Sequence, residues 1–164
     1  MLKLHILYRW LYYEPFVAYT PPGHRLSKKD KIKPEELEVD DILLLEDGHC
    51  FKEGILNICK SHQNTEKSSF HLESGSFETL IKLSNEGLGM TLLPYLHTLD
   101  LSEKENKNLR MFEEPSPARE VSLIYHKSEL KMQIIEALQE IISGVVRGAV
   151  TFQNIKIISP LQKK

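Results

Sequence analysis

Apolar positions along this chain fall into short blocks whose spacing alternates between runs and helical stripes. Tyr12 to Tyr19 reads as a strand, with Glu14-Pro15 arguing against the middle of a sheet. Ile42-Leu43-Leu44-Leu45 is an unbroken apolar run, so Asp41–Glu46 is expected as a buried strand, closed by Asp47-Gly48. Phe51, Ile55, Leu56 and Ile58 then recur at helical spacing, predicting a helix over Cys50–Ser61. Ser69–Glu73 is a second short strand. Ser76 is a good N-cap for a helix over Phe77–Glu86, whose apolar face is Phe77, Leu80, Ile81 and Leu83. Gly87 supplies the turn after it, and Met90–Leu93 is a third strand stopped by Pro94. Strand, helix, strand, helix, strand predicts an α/β fold with a parallel sheet. Ligands of such sheets sit beyond the carboxyl ends of the strands. Cys50 follows one such end and Gly75-Ser76 the next, which places both turns at one crevice.

The remaining pattern is simpler. Pro21-Pro22-Gly23-His24 ends the first strand, and Leu26–Glu38 reads as a solvated loop with a short helix near Pro34. Asp100–Asn108 is charged and expected as a loop or frayed helix. Glu113-Glu114-Pro115-Ser116-Pro117 is a rigid bend before a strand at Val121–Tyr125. Glu129–Arg147 is the clearest helix, with Leu130, Ile134, Ile135, Leu138, Ile141, Ile142 and Val145 on a broad stripe whose default explanation is core packing. Val150–Ile158 adds a strand, and the terminal Gln162-Lys163-Lys164 is expected to fray.

Composition narrows the class without choosing a function. The 164 residues suit one domain, and 41% hydrophobic with 27% charged residues is ordinary for a globular protein. A net charge of −2 makes no electrostatic case for nucleic-acid binding. No apolar run approaches the roughly 20 residues that span a bilayer. The opening Met1–Trp10 is interrupted by His5 and Arg9 and lacks a small-residue cleavage site, unlike a signal peptide. Two unpatterned cysteines suit a reducing cytoplasm.

Those cysteines are the candidate chemistry. Cys50 falls in a strand-to-helix turn, where a helix N-terminus favours the thiolate, the reactive form of sulfur. His49 and Lys52 add positive charge nearby. In one continuous helix Cys50 and Cys59 would face opposite sides, with Cα atoms roughly 13 Å apart at about 1.5 Å per residue. A disulfide needs Cα atoms within about 7 Å. The pair can join only if the helix between them unwinds, and closing so short a loop costs about 2.5 kcal/mol of chain entropy. Against a redox pair stands plain burial: Cys59 lies near the apolar face of Phe51, Ile55 and Ile58, where cysteine packs as a small hydrophobe. Cys50, Cys59 and His62 match no standard zinc spacing, no Cys-x-x-Cys is present, and no cofactor is indicated.

One segment, Leu44-Leu45-Glu46-Asp47-Gly48-His49-Cys50 with Cys59 behind it, resembles the peroxide-sensing OxyR branch of the LysR-type transcription regulators. The resemblance continues in His71, in Ser76-Phe77-Glu78-Thr79-Leu80, and in Gly87-Leu88-Gly89-Met90-Thr91-Leu92-Leu93-Pro94. The last segment is similar to LysR-type effector domains at large, whereas the Gly-His-Cys turn with the second cysteine is specific to the peroxide sensors. The resemblance implies that Cys50 is peroxidatic and Cys59 resolving, and that they join in a reversible disulfide. It implies that His49, Lys52 and His71 line the thiol. Lys52 stands where the family commonly has arginine, keeping the charge but losing the planar fork.

By the same resemblance the fold is a periplasmic-binding-protein-like effector domain: its second lobe, plus the return segment to an incomplete first lobe. Residues 12–147 would be the partial regulatory domain, 1–11 a divergent segment and 148–164 a tail. With no helix-turn-helix before Tyr12, no direct DNA binding by this chain is expected. The helix Glu129–Arg147 and the strand Val121–Tyr125 belong to the first lobe in the family, so their apolar stripe is expected to be exposed and to promote self-association. Implied partners are hydrogen peroxide, a thiol reductant such as a glutaredoxin or thioredoxin, and a second copy through the regulatory domain; no membrane is implied. The expected role is a stoichiometric cytoplasmic redox sensor. Two other readings remain: a small-molecule effector lobe with incidental cysteines, and a thiol peroxidase.

Overall fold

The computed structural model describes residues 6–46, 50–60, 73–128, 131–150 and 155–158. Its frame is β1 (Ile6–Tyr19), a strand of 14 residues that is exposed at its start and fully buried from Phe16 onward. β1 pairs antiparallel with β7 (Ser116–His126) from Ile6 to Pro15. From Phe16 it pairs antiparallel with β5 (Thr91–Pro94), and at Ala18 and Tyr19 with β6 (Leu109–Phe112). The strand therefore begins earlier than the expected Tyr12. Pro15 is tolerated inside it because it ends one ladder just before the next begins, where a missing N–H costs least. β2 (Lys31–Ile32) adds parallel to β6, and β8 (Ile155–Ile157) parallel to β7. The short helix expected at Pro34 is a 3-10 turn, Pro34–Glu36.

Two further strands, β3 (Leu44–Leu45) and β4 (Glu73–Ser74), pair parallel to each other, and Ile42 bridges parallel to Met90. The fold is thus α/β as expected. The six-stranded sheet is mixed and the two-stranded one parallel; among the described residues, parallel pairing is found in β3–β4, the Ile42–Met90 bridge and the β2 and β8 edges. α1 (Cys50–Lys60) follows β3, and α2 (Phe77–Asn85) follows β4. Ser76 caps α2 as expected, its hydroxyl oxygen accepting from the Thr79 N–H at 3.2 Å. Gly87 sits at φ +80° in the turn after it. Gly89 sits at φ +143°, and a Cβ there would lie 2.7 Å from the Asp41 carbonyl oxygen. Glycine at that position lets the Met90 N–H reach the Asp41 carbonyl at 2.9 Å, while the Leu43 N–H reaches the Met90 carbonyl at 2.8 Å. The Gly-x-Gly spacing thereby brings the segment before β3 against the segment before β5.

The main core gathers Phe16, Leu26, Ile32, Leu37, the Ile42–Leu45 run, Leu80, Met90, Leu92 and Phe112 with α1's Phe51, Ile55, Ile58 and Cys59. α3 (Tyr95–Thr98) and α4 (Glu103–Asn106) are single turns, the second in the segment expected as a loop or frayed helix. Most of the expected strand Ser69–Glu73 lies outside the described residues, as do Glu129 and Leu130 at the start of the expected long helix and the end of the tail.

That helix is α5 (Met132–Ala149), and its apolar stripe divides. Ile135, Ser143 and Val146 are buried, and Ser143 donates to the Leu11 carbonyl at 3.3 Å on β1. Ile134, Leu138, Ile141 and Val145, spaced by four, three and four, are 55%, 42%, 63% and 73% exposed. The default of core packing accounts for the inner face only. The outer stripe is the kind of contiguous apolar surface that drives association. The chain is expected to self-associate with concentration in sedimentation velocity, and Ile141→Glu to shift it toward monomer. A monodisperse monomer at all concentrations, indifferent to Ile141→Glu, would contradict this.

Candidate functional site

The parallel pairing of β3 with β4 builds the site. Leu44 is in register with Glu73 and Leu45 with Ser74, so the two strands end side by side. The Glu46 N–H donates to the Ser74 carbonyl at 3.1 Å at that edge. α1 and α2 start just beyond, and their first residues meet. Phe51, second in α1, and Phe77, first in α2, make an edge-to-face contact with centroids 5.1 Å apart. The strand ends and helix starts expected from topology to be neighbours are therefore adjacent. A helix N-terminus carries partial positive charge that favours an anion. Cys50 is the first residue of α1.

Phe51 anchors this corner. Its ring lies 5.0 Å from that of Phe16, and the Arg119 guanidinium sits 5.1 Å above its centroid. Arg119 donates twice to Glu14 Oε2, at 2.9 and 2.7 Å, while the Leu96 N–H donates to Glu14 Oε1 at 2.9 Å. Glu14 is 1% exposed, a buried carboxylate satisfied by a forked cation and a backbone donor. Phe77 continues the aromatic contacts to His97, centroids 5.1 Å apart. Gly54 lets α1 approach: a Cβ there would be 3.1 Å from the Phe16 ring. Arg119 escaped the sequence reading, and Glu14 and Phe51 entered it only as strand and helix positions. A signal for one of them existed, since a lone carboxylate in the apolar run Tyr12–Tyr19 has to find a buried partner.

Of the expected site residues, Cys50, Lys52 and Cys59 lie on α1 within one unbroken helix, while His49 and His71 lie outside the described residues. Lys52 is 8% exposed, and its Nζ donates to Glu73 Oε1 at 2.6 Å, tying α1 to β4. Cys59 is a free thiol, 1% exposed among the core residues Phe51, Ile55 and Ile58. Cys59 lies nine positions after Cys50 on the helix, so their Cα atoms stand roughly 13 Å apart at ~1.5 Å per residue. That is beyond disulfide reach, which ends at about 7 Å. Burial pushes the Cys59 thiol up from its ordinary value near 9 to about 12. As placed, its sulfur is protonated and unreactive at neutral pH. Among the described residues, no three His, Cys, Asp or Glu side chains are grouped to hold a metal, and no helix is long and apolar enough to cross a membrane.

With this geometry in place, the chain's relatives become informative. The chain belongs to the LysR substrate binding domain family, whose profile matches residues 5–146. Within that family it is similar to proteins named for peroxide response. It is 31% identical over 137 residues to a probable hydrogen peroxide-inducible genes activator of Mycobacterium leprae, covering 81% of this chain and 44% of that protein. It is 26% identical over 138 residues to the DNA-binding transcriptional dual regulator OxyR of Escherichia coli K12, covering 84% and 45%. The chain thus spans a little under half the length of these relatives. Among solved structures, an OxyR mutant from Porphyromonas gingivalis superimposes with a TM-score of 0.78 at 25% identity, over 93% of this chain and 70% of that one. The reduced OxyR regulatory domain from Pseudomonas aeruginosa gives 0.71 at 28% identity, over 94% and 70%. The resemblance in the Gly-His-Cys and Gly-x-Gly segments therefore extends through most of the chain, and the fold is that of OxyR regulatory domains.

The buried thiol makes a pH-dependent prediction. An unfolded Cys59 ionises near pH 9, whereas the folded one holds its proton to about pH 12. Its burial thus contributes stability that is present in full below pH 9 and lost as the pH rises toward 12. Urea unfolding of the reduced protein at pH 9, 10 and 11 should lose about 1.4 kcal/mol per pH unit more than Cys59→Ala does. Parallel pH profiles for the two proteins would contradict the burial.

Proposed function

We propose that this chain is the redox-sensing part of a hydrogen-peroxide-responsive transcription regulator, with residues 12–147 as its partial regulatory domain between the segments 1–11 and 148–164. The observation that carries the reading is the arrangement of α1. Cys50 heads α1 beside the start of α2, and Cys59 is buried near the other end of α1. A helix N-terminus favours a thiolate at Cys50. That thiolate attacks one oxygen of hydrogen peroxide, the O–O bond breaks, and hydroxide leaves to be protonated to water. Cys50 becomes a sulfenic acid. Cys59 then gives up its proton, its sulfur displaces the sulfenic oxygen as a second water, and a Cys50–Cys59 disulfide results. Two thiols are oxidised and one peroxide is reduced to two waters.

His49, Lys52 and His71 are assigned to the surroundings of the reactive thiol. Cys59 is protonated and about 13 Å away, so the second step requires the helix to open first. Oxidation and refolding become one event, and the sensor is stoichiometric. A cytoplasmic dithiol reductant of the glutaredoxin or thioredoxin class resets it, and a second copy joins through the regulatory domain. No direct DNA binding is assigned to this chain.

The test is one equivalent of hydrogen peroxide added to the reduced protein, followed by peptide mass mapping. An intramolecular Cys50–Cys59 disulfide with the peroxide consumed once is expected. Unmodified cysteines would contradict the sensor reading and favour an effector-binding lobe with incidental thiols. Sustained peroxide consumption with a thioredoxin system would point to a peroxidase.

A further inference from the structure

We propose that Lys52 and Glu73 form a latch that holds the first turns of α1 wound in the dithiol state, and so sets how readily Cys50 and Cys59 become a disulfide. The inference deepens the sensor reading and rests on it. Lys52 is the third residue of α1, two beyond Cys50 and inside the span that has to open. Its ammonium reaches across to Glu73 Oε1 at 2.6 Å, on a strand held in the β3–β4 sheet rather than on its own helix. The contact is therefore tertiary: it fixes the helix start to the sheet edge. Surface ion pairs contribute little. This one differs on the lysine side: the Lys52 side chain is 11% exposed, while the Glu73 side chain keeps 30% of its surface open. Lysine is almost never this buried unless paired, and neutralising Glu73 weakens that pairing.

The geometry gives the pair a different weight in the two redox states. In the dithiol form α1 is continuous and the pair is made. Bringing Cys50 within about 7 Å of Cys59 draws in the intervening turns, and Lys52 cannot follow them and keep its hold on Glu73. The pair therefore stabilises the dithiol alone. Neither residue touches the reacting oxygen or sulfur in this account; they are positioning residues. Phe51 and Ile55 on the same turns are held by the core, so the helix start is fastened by packing on one side and by this pair at the sheet edge.

The midpoint potential of the Cys50–Cys59 couple, equilibrated in glutathione buffers, reads the latch directly. Glu73→Gln should favour the disulfide about tenfold, a shift of about 30 mV to more negative potential. Glu73→Asp, which keeps the negative charge on the strand, should shift the potential less than Glu73→Gln does. An ion pair kept in both states, and so merely structural, would leave all potentials equal and overturn the proposal. A second readout does not need the disulfide. In a Cys50→Ser background, iodoacetamide should alkylate Cys59 about tenfold faster when Glu73→Gln is added, and an unchanged rate would also overturn the latch. If the wild type forms no Cys50–Cys59 disulfide in these buffers, the sensor reading itself fails, and the alkylation rates alone decide whether the pair holds the helix.

Discussion

A single hydrogen-bonded helix separates the two sulfurs of this protein, and most of what the structure does follows from how firmly that helix is held. α1 cannot shorten without losing its own backbone bonds, and its inner face is fastened in the core by Phe51, Ile55, Ile58 and Cys59. Its start is pinned twice more, by the Arg119 guanidinium over Phe51 and by Lys52 on Glu73. The separation is therefore a state maintained by packing and charge. On the proposed reading, the sensing chemistry has to work against that state, which makes a conformational change an obligatory companion of oxidation.

The same fastening connects the cysteine helix to the rest of the molecule. Glu14 and Arg119 lie on β1 and β7, and these two strands run from the buried core out to the ribbon against which α5 packs. A displacement of Phe51 removes the cation's aromatic contact while leaving its carboxylate partner in place.

Much of this was legible from the residues alone. The Ile42–Leu45 run, the stripe after Cys50, the Ser76 cap and the Gly87 turn each carried local physics strong enough to survive tertiary context. The two adjacent strand ends followed from topology. Other features were not legible because their causes are non-local. The early start of β1 depends on β7, more than a hundred residues away, covering Ile6–Pro15. The antiparallel pairing of β5 depends on β1 being there to receive it. The pairing of Lys52 with Glu73 joins residues 21 apart, which no helical spacing connects. The α5 stripe was readable as apolar, but periodicity cannot tell which half of a broad stripe meets a neighbour.

The most direct test of the account is amide hydrogen exchange along α1 in the dithiol and disulfide forms of the same protein. The account predicts slow exchange through residues 52–59 in the dithiol form and fast exchange over its first turns once Cys50 and Cys59 are joined. A Cys50–Cys59 disulfide accompanied by undiminished protection of those amides would contradict it, because the sulfurs would then have met without the helix opening.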